Sequence, residues 1–354
     1  MVTLPEPGDR TLPNPKGKAV LPVGKLPPEL LARWLAGAPV LDKRLVLGPG
    51  VGLDCAVIDA GPTLWVLKSD PITFASDEIG WYAIQVNAND IATTGATPRW
   101  FLMTLLLPEG STTEDLVEQI GQQVFQACRE IDVSVIGGHT EITYSLDRPI
   151  LIGTMIGEVD RQCLVTPRGA RPGDRLLLTK GVPIEATAIL AREFPQQARE
   201  ALSPAELAQA RGFLHDPGIS VLREARLAMH AGQVTAMHDP TEGGLASALW
   251  ELAEASQCSL VVDPSAVPIP PLSARLCRAF SIDPLAAIAS GALLLTAPSG
   301  DARSIWQALA ADGIPCAEIG EVETGPVSVQ REARDGLELF PRPERDAIAR
   351  IFER

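Results

Sequence analysis

Asn87-Ala88-Asn89-Asp90-Ile91-Ala92, running on to Gly95-Ala96-Thr97-Pro98-Arg99, is the stretch on which the reading of this chain turns. Ile79, Ala83, Val86, Asp90 and Ile91 recur near a helical period, which predicts a helix over 78–95. Asn87 and Asp90 stand three positions apart, so they share a helix face and can serve one ligand. A capping or solvated aspartate is the other reading of Asp90. Against it, Ile91 and Ala92 follow directly and the helix reads as largely buried.

Three more aspartates sit in short motifs beside apolar runs. They are Gly50-Val51-Gly52-Leu53-Asp54-Cys55-Ala56, Lys68-Ser69-Asp70 and His238-Asp239-Pro240-Thr241-Glu242-Gly243-Gly244. Asp54 follows a Gly-x-Gly turn at a strand mouth, and Asp70 lies at the end of a strand over 64–68. Folding can bring such scattered carboxylates to one point. Two carboxylates about 4 Å apart repel by roughly 4 kcal/mol at an effective dielectric of 20. A divalent cation reverses that sign, and hard oxygen ligands suit magnesium. At the fourth motif Asp239 is placed to hold a metal. Gly243 and Gly244 open a helix whose free N–H groups suit phosphate, although Asp and Thr are also ordinary helix caps. The expectation is a magnesium-nucleotide enzyme.

Gly137-Gly138-His139-Thr140 follows the apolar strand 133–136 and reads as a glycine turn. It lacks the Lys-Ser/Thr of a Walker A loop and is not Gly-x-Gly-x-x-Gly. A plain tight turn explains it equally well. His139 can bind metal, orient phosphate or simply sit hydrogen-bonded in the turn. His215 and His230 read as structural, and His238 has no zinc-like spacing. No Ser-His-Asp or Cys-His arrangement stands out.

The chain has 354 residues, a comfortable length for two domains, and at 46% apolar it can bury a large core. Apolar stretches such as 101–107 end well before the ~18 residues a membrane span needs. No basic flank with an apolar core opens the sequence, so no signal peptide is expected. The six cysteines form no Cys-x-x-Cys pair, which fits a reduced cytoplasmic protein. The net charge, 30 − 44 = −14, disfavours a nucleic-acid backbone as partner. It leaves a nucleotide open, because magnesium can bridge acidic side chains to phosphate.

The Pro- and Gly-rich residues 1–24 read as a flexible arm, followed by a short helix over 26–35. Strands are expected over 56–59, 64–68, 100–107, 133–136 and 150–159. A helix after 111 is expected to open on a Ser111–Glu114 capping box. A Pro- and Gly-rich break at 166–174 puts a domain boundary near 162. The second half reads as strands over 175–179, 259–262, 291–296 and 326–330. Its helices fall near 184–193, 220–231, 244–256, 272–280 and 301–312, with a charged terminal helix over 336–354. Strands and helices mix without strict alternation, so the fold class is α+β. The units are 1–24, 25–161, 162–335 and 336–354.

In this order the motifs resemble the aminoimidazole ribonucleotide (AIR) synthetase superfamily, and within it the HypE-like branch of hydrogenase maturation. Asn89 to Arg99, Met237 to Leu245 and Ile282-Asp283-Pro284-Leu285 carry the resemblance, which spans about residues 24–329. It implies a two-domain subunit whose first domain pairs with its twin in a barrel-like homodimer interface, with ATP along the cleft. It implies magnesium at Asp54, Asp70, Asp90 and Asp239. The nucleotide would meet Lys25, Asn87, Gly137, Gly138, His139, Thr140, Gly243 and Gly244. The shared chemistry is ATP-dependent activation or phosphorylation of a small-molecule oxygen.

The departures bear on the exact reaction. HypE ends in a reactive cysteine, and the expectation here is that none follows Cys316. Glu141 stands where HypE has lysine, Ser290 where it has glutamate, and Leu53 where the family has a first acid. The selenophosphate branch also carries a histidine at the position of His139, but it needs a reactive residue before Cys55, and none occurs. These differences speak against carbamoyl dehydration. They leave a small-molecule kinase, or a nucleotide sensor without turnover, as the rival expectations.

Overall fold

A computed structural model describes residues 21, 24–73, 77–333 and 336–352. Apart from Leu21 and Gly24, the arm expected over 1–24 lies outside the described residues.

The first half begins with helix α1 (Pro28–Leu35), which buries none of its residues. Then follow β1 (Leu45–Leu47), β2 (Ala56–Asp59), β3 (Leu64–Ile72), helix α2 (Ile79–Ala92), β4 (Thr97–Pro108), helix α3 (Glu114–Glu130), β5 (Ser134–Thr143) and β6 (Ile150–Val159). The six strands form one sheet in the order β1-β2-β3-β6-β4-β5. Only the β4–β5 pairing is parallel. Along β6 buried and half-buried positions alternate, as a strand with one face on a core must.

α2 sits on the buried face, and twelve of its fourteen residues are buried. An interior helix of this kind has little contrast between its faces. Its closeness to the sheet has a specific cause. A Cβ on Gly153 of β6 would stand 2.6 Å from the Asn87 amide nitrogen, and one on Gly157 would collide with Ile91. Only glycine lets the helix approach this far. Phe101, Leu105, Leu151 and Met155 close the core beneath it.

The second half contains β7 (Asp174–Thr179), helices α4 (Ile184–Glu193), α5 (Pro195–Ala201), α6 (Pro204–Arg211) and α7 (Leu222–Ala231), and β8 (Ala236–His238). It continues through α8 (Gly244–Ser256), β9 (Ser259–Val262), α9 (Pro271–Phe280), β10 (Leu294–Pro298), α10 (Ser299–Ala311), β11 (Cys316–Glu323), β12 (Ser328–Ala333), β13 (Gly336–Leu339) and α11 (Ala349–Phe352). Its sheet runs β13-β12-β9-β11-β7-β10-β8. Leu176 and Leu178 point to one side, against α8, and Leu177 points to the other, against α7 and α10.

Three local expectations are corrected. Gly137 and Gly138 do not turn the chain back: β5 continues through them after a register irregularity at Ile136, with φ at +149° for both. The cap of α3 is Thr113, whose hydroxyl accepts the Leu116 N–H at 3.2 Å, rather than Ser111. The segment 336–354 is not one helix: β13 and an irregular stretch with bends and turns occupy most of its described residues before α11. No helix among the described residues is long and apolar enough to cross a membrane.

Asn89 joins the halves. Its side chain donates to the Ile219 carbonyl at 2.7 Å and accepts from the Val221 N–H at 2.9 Å, all fully out of solvent. Replacing Asn89 with Ala leaves two buried backbone groups unpaired, each costing about 1–3 kcal/mol. We expect urea denaturation to register a loss of about 2–4 kcal/mol. A change below about 0.5 kcal/mol would match an ordinary surface substitution and contradict this role.

Candidate metal and anion site

The four aspartates meet at the seam between the halves, and Lys68 of β3 lies among them. Its Nζ stands 3.2 Å from Asp70 Oδ2, 3.2 Å from Asp90 Oδ2 and 3.7 Å from Asp54 Oδ1. Asp54 comes from the loop before β2, Asp70 from β3 itself and Asp90 from α2. Asp239 arrives from the other half, directly after β8. Both its carboxylate oxygens are buried without a hydrogen-bond partner.

His238 stands beside it. Its Nε2 lies 2.7 Å from Glu251 Oε2 on α8, which sets that nitrogen as the donor. Nδ1 is left without a hydrogen-bond partner, 3.6 Å from Asp54 Oδ2 and 4.0 Å from Asp239 Oδ1. Ligand atoms of Asp54, His238 and Asp239 all lie within 4.8 Å of one another. A carboxylate holding the far nitrogen of a histidine is the usual support for a metal-ligating imidazole. Burial works to lower the His238 imidazole, but Asp54, Asp239 and Glu251 outweigh it and keep the ring charged without a cation; with a divalent ion in place of the Nδ1 proton, the donor set fits.

The protonation pattern says the same. Burial works to raise Asp54, but Lys68, His238 and Lys25 outweigh it and hold the acid at about 2. Burial also works to lower Lys68, and Asp90, Asp54 and Asp70 outweigh it, keeping the ammonium charged. Asp90 and Asp239 instead go up, through burial and the neighbouring carboxylates. The cluster is short of positive charge, which a bound divalent ion would supply.

The other expected contacts divide. Lys25 pairs with Glu251 at 3.5 Å and lines a cavity of about 650 Å³ that also touches Gly52, Asp54, Glu242, Gly243 and Asp346. That volume is in the usual range for a small-molecule site. Asn87 is fully buried and its carboxamide is already committed. It accepts the Asp70 N–H at 3.0 Å and donates to the Ala83 carbonyl at 2.9 Å. It therefore positions Asp70 instead of offering an open contact beside Asp90.

Gly243 and Gly244 do open α8, at φ +80° and +60°. A Cβ on Gly244 would meet the Leu285 and Ala287 carbonyls at 2.7 and 2.5 Å. The Gly243 N–H, however, already donates to Asp346 Oδ2 at 2.6 Å. Gly137, Gly138, His139 and Thr140 lie on exposed β5, and His139 faces Glu141 at 3.0 Å. The paired row Asp70–Gly153–Met103–Gly138 crosses three strand spacings, roughly 14 Å. Within one chain these four residues are not brought to the aspartates.

Lys68, His238 and Glu251 went unassigned from sequence. So did Glu185 on α4, a buried acid beside Ser290, with Oε2 lacking a hydrogen-bond partner. Lys68 lies two residues before Asp70, and on a strand that spacing puts both side chains on one face. Leu53, at the position of the absent acid, lines the cavity half-buried.

Residues 52–159 match the N-terminal domain of AIR synthase related proteins, and residues 171–331 match the C-terminal domain. The chain belongs to the AIR synthase related family. It is 31% identical over 272 residues to the carbamoyl dehydratase HypE of Cupriavidus necator, covering 75% of this chain and 74% of that one. A selenide, water dikinase of Nitratidesulfovibrio vulgaris is 30% identical over 269 residues, covering 72% of each chain. The crystal structure of the hydrogenase maturation protein HypE in complex with ATP superposes with a TM-score of 0.67 at 25% identity, over 89% of this chain and 90% of that one. The two-domain AIR synthase fold, with mixed α and β content, is thus established for this HypE-like member.

Burial pushes the Glu185 carboxyl up to about 7, and Asp346, Glu242 and Asp239 add to the rise against the Ser290 hydroxyl. An acid raised on folding contributes stability below its unfolded value, near 4.5, and loses it as pH climbs through about 7. Glu185→Gln should therefore match the parent at pH 4 and exceed it at pH 8 by about 3 kcal/mol. Chemical denaturation at the two pH values measures this. Equal stability of the two proteins at pH 8 would contradict it.

Proposed function

We propose that this chain is a magnesium- and ATP-dependent enzyme that phosphorylates or activates an oxygen of a small molecule. The observation that carries the reading is the meeting of Asp54, Asp70, Asp90 and Asp239, from four separate segments, with Asp54 also lining a cavity. A dehydratase and a dikinase among its relatives, and a HypE structure solved with ATP, support the nucleotide. The units 25–161 and 162–335 are read as the two catalytic domains, with the site at their seam.

Asp54, His238 Nδ1 and Asp239 would hold magnesium, with Asp70 and Asp90 completing the acidic wall. The ion would neutralise phosphate charge and hold the transferring group in line. Glu251 fixes the imidazole orientation through Nε2. Asn87 fixes the Asp70 backbone. Lys25, at the cavity wall, is placed to meet phosphate oxygens as a point charge. The seam keeps bulk water from Asp90 and Asp239, which strengthens each charge interaction there.

The chain is further read as a cytoplasmic homodimer. β5 is one of the sheet's two edge strands, and it exposes Ile136 and Ile142 to 51% and 61%. A long exposed apolar edge invites pairing with another strand. In a dimer joined there, Gly137 to Thr140 would belong to an intersubunit cleft, which accounts for their distance from the aspartates. An Ile136→Asp, Ile142→Asp double variant should sediment as a monomer where the parent sediments as a dimer. A parent that is already monomeric at micromolar concentration would remove this part of the reading.

For the site, calorimetric titration with Mg-ATP is the direct test. Asp239→Asn should weaken binding at least tenfold, and Glu251→Gln by about 10–100-fold, the usual cost of losing a ligand's support. Unchanged affinity in both variants would sink the metal-site assignment.

A further inference from the structure

The acid cluster contains two cation positions rather than one, and Asp54 separates them. Its Oδ1 faces Lys68 Nζ at 3.7 Å, and its Oδ2 faces His238 Nδ1 at 3.6 Å. A carboxylate with one oxygen on each of two cations is the bridging arrangement of a two-ion centre. On the His238 side the ligand atoms are open: Nδ1 and both Asp239 oxygens are buried with no hydrogen-bond partner. On the other side the position is taken by the ammonium. Lys68 carries three N–H donors, and carboxylate oxygens of Asp54, Asp70 and Asp90 surround it at 3.2–3.7 Å. The lysine side chain is only 12% exposed, so its head is not a solvated surface charge.

We propose that the Lys68 ammonium is a resident cation of this centre, standing in for one divalent ion, so that each chain binds one divalent ion at Asp54, His238 and Asp239. This rests on the metal–nucleotide reading and deepens it. Lys68 gathers carboxylate oxygens of Asp54, Asp70 and Asp90 around one fixed positive charge without metal, and offers phosphate oxygens that charge from the β3 side. The exchangeable ion then needs to serve only the β8 side. Buried, paired lysine is also what an inert structural ion pair would show. The two differ in whether the position accepts a metal once the lysine is gone.

The test counts Mn2+ bound to the full-length protein by electron paramagnetic resonance, with Mn2+ alone as the probe. The parent and Lys68→Arg should bind one ion per chain, and Lys68→Ser should bind two. Melting curves supply a second measurement if Lys68→Ser folds poorly. Its melting temperature should rise towards the parent value on adding Mn2+, by more than the parent's own shift. Two ions on the parent, one ion on Lys68→Ser, or no Mn2+ rescue of a destabilised Lys68→Ser would each overturn the proposal. One ion on both proteins leaves the metal–nucleotide reading standing, whereas no bound ion on either removes that reading as well.

Discussion

Like charge held at close range is the constraint around which this molecule is arranged. Asp54, Asp70, Asp90 and Asp239 converge where the two sheets' halves meet, and two of them are almost wholly buried. Two ionised carboxylates about 4 Å apart would repel by roughly 4 kcal/mol at a dielectric near 20, and burial together with the neighbouring acids drives Asp90 and Asp239 towards the neutral form. Lys68 offsets part of this, and His238 and Lys25 add to it through Asp54 and Glu251. A fold gains nothing in stability from such a concentration of acids. Its retention beside a cavity that Asp54 lines is the mark of a site shaped for cations and polyanions.

The placement of these charges follows from packing. Gly153 and Gly157 let α2 lie against β6, and that contact puts Asn87 over the Asp70 backbone and Asp90 over Lys68. Aspartate side chains are short, so they bridge only if their backbones are brought close. Bulk at either glycine would lift the helix and open the cluster. The second half contributes in the same way: Gly244 lets α8 approach the 285–287 carbonyls, which holds Glu251 behind His238.

Much of this is legible in the sequence, for physical reasons. The apolar run 100–107 announces its strand by composition and the long helices announce themselves through periodicity, and α8 begins and ends where its glycines and polar boundary say. The aspartates are legible because acids beside apolar runs are rarely neutral facts. Lys68 was not, since a lysine next to an aspartate ordinarily reads as a solvated pair, and only the pleat of β3 turns it inward. His238 and Glu251 are thirteen positions apart, a spacing that means nothing until β8 and α8 are packed together. Gly137-Gly138 misled because paired glycines usually bend a chain, whereas β5 stays extended through pairing with β4. Ser111 and Thr113 are both competent caps, and hydrogen-bond geometry chose the second.

Asn89 and Asp90 are consecutive on one helix, yet they answer to different masters. The first is bolted to the 219–221 loop of the other half, and the second reaches the charge centre through Lys68. Any swivel of one half against the other must therefore drag the ligand with the bolt. The centre can sense a shift across the joint, and a change of charge at the centre can be felt at the joint, with a single peptide unit as the lever.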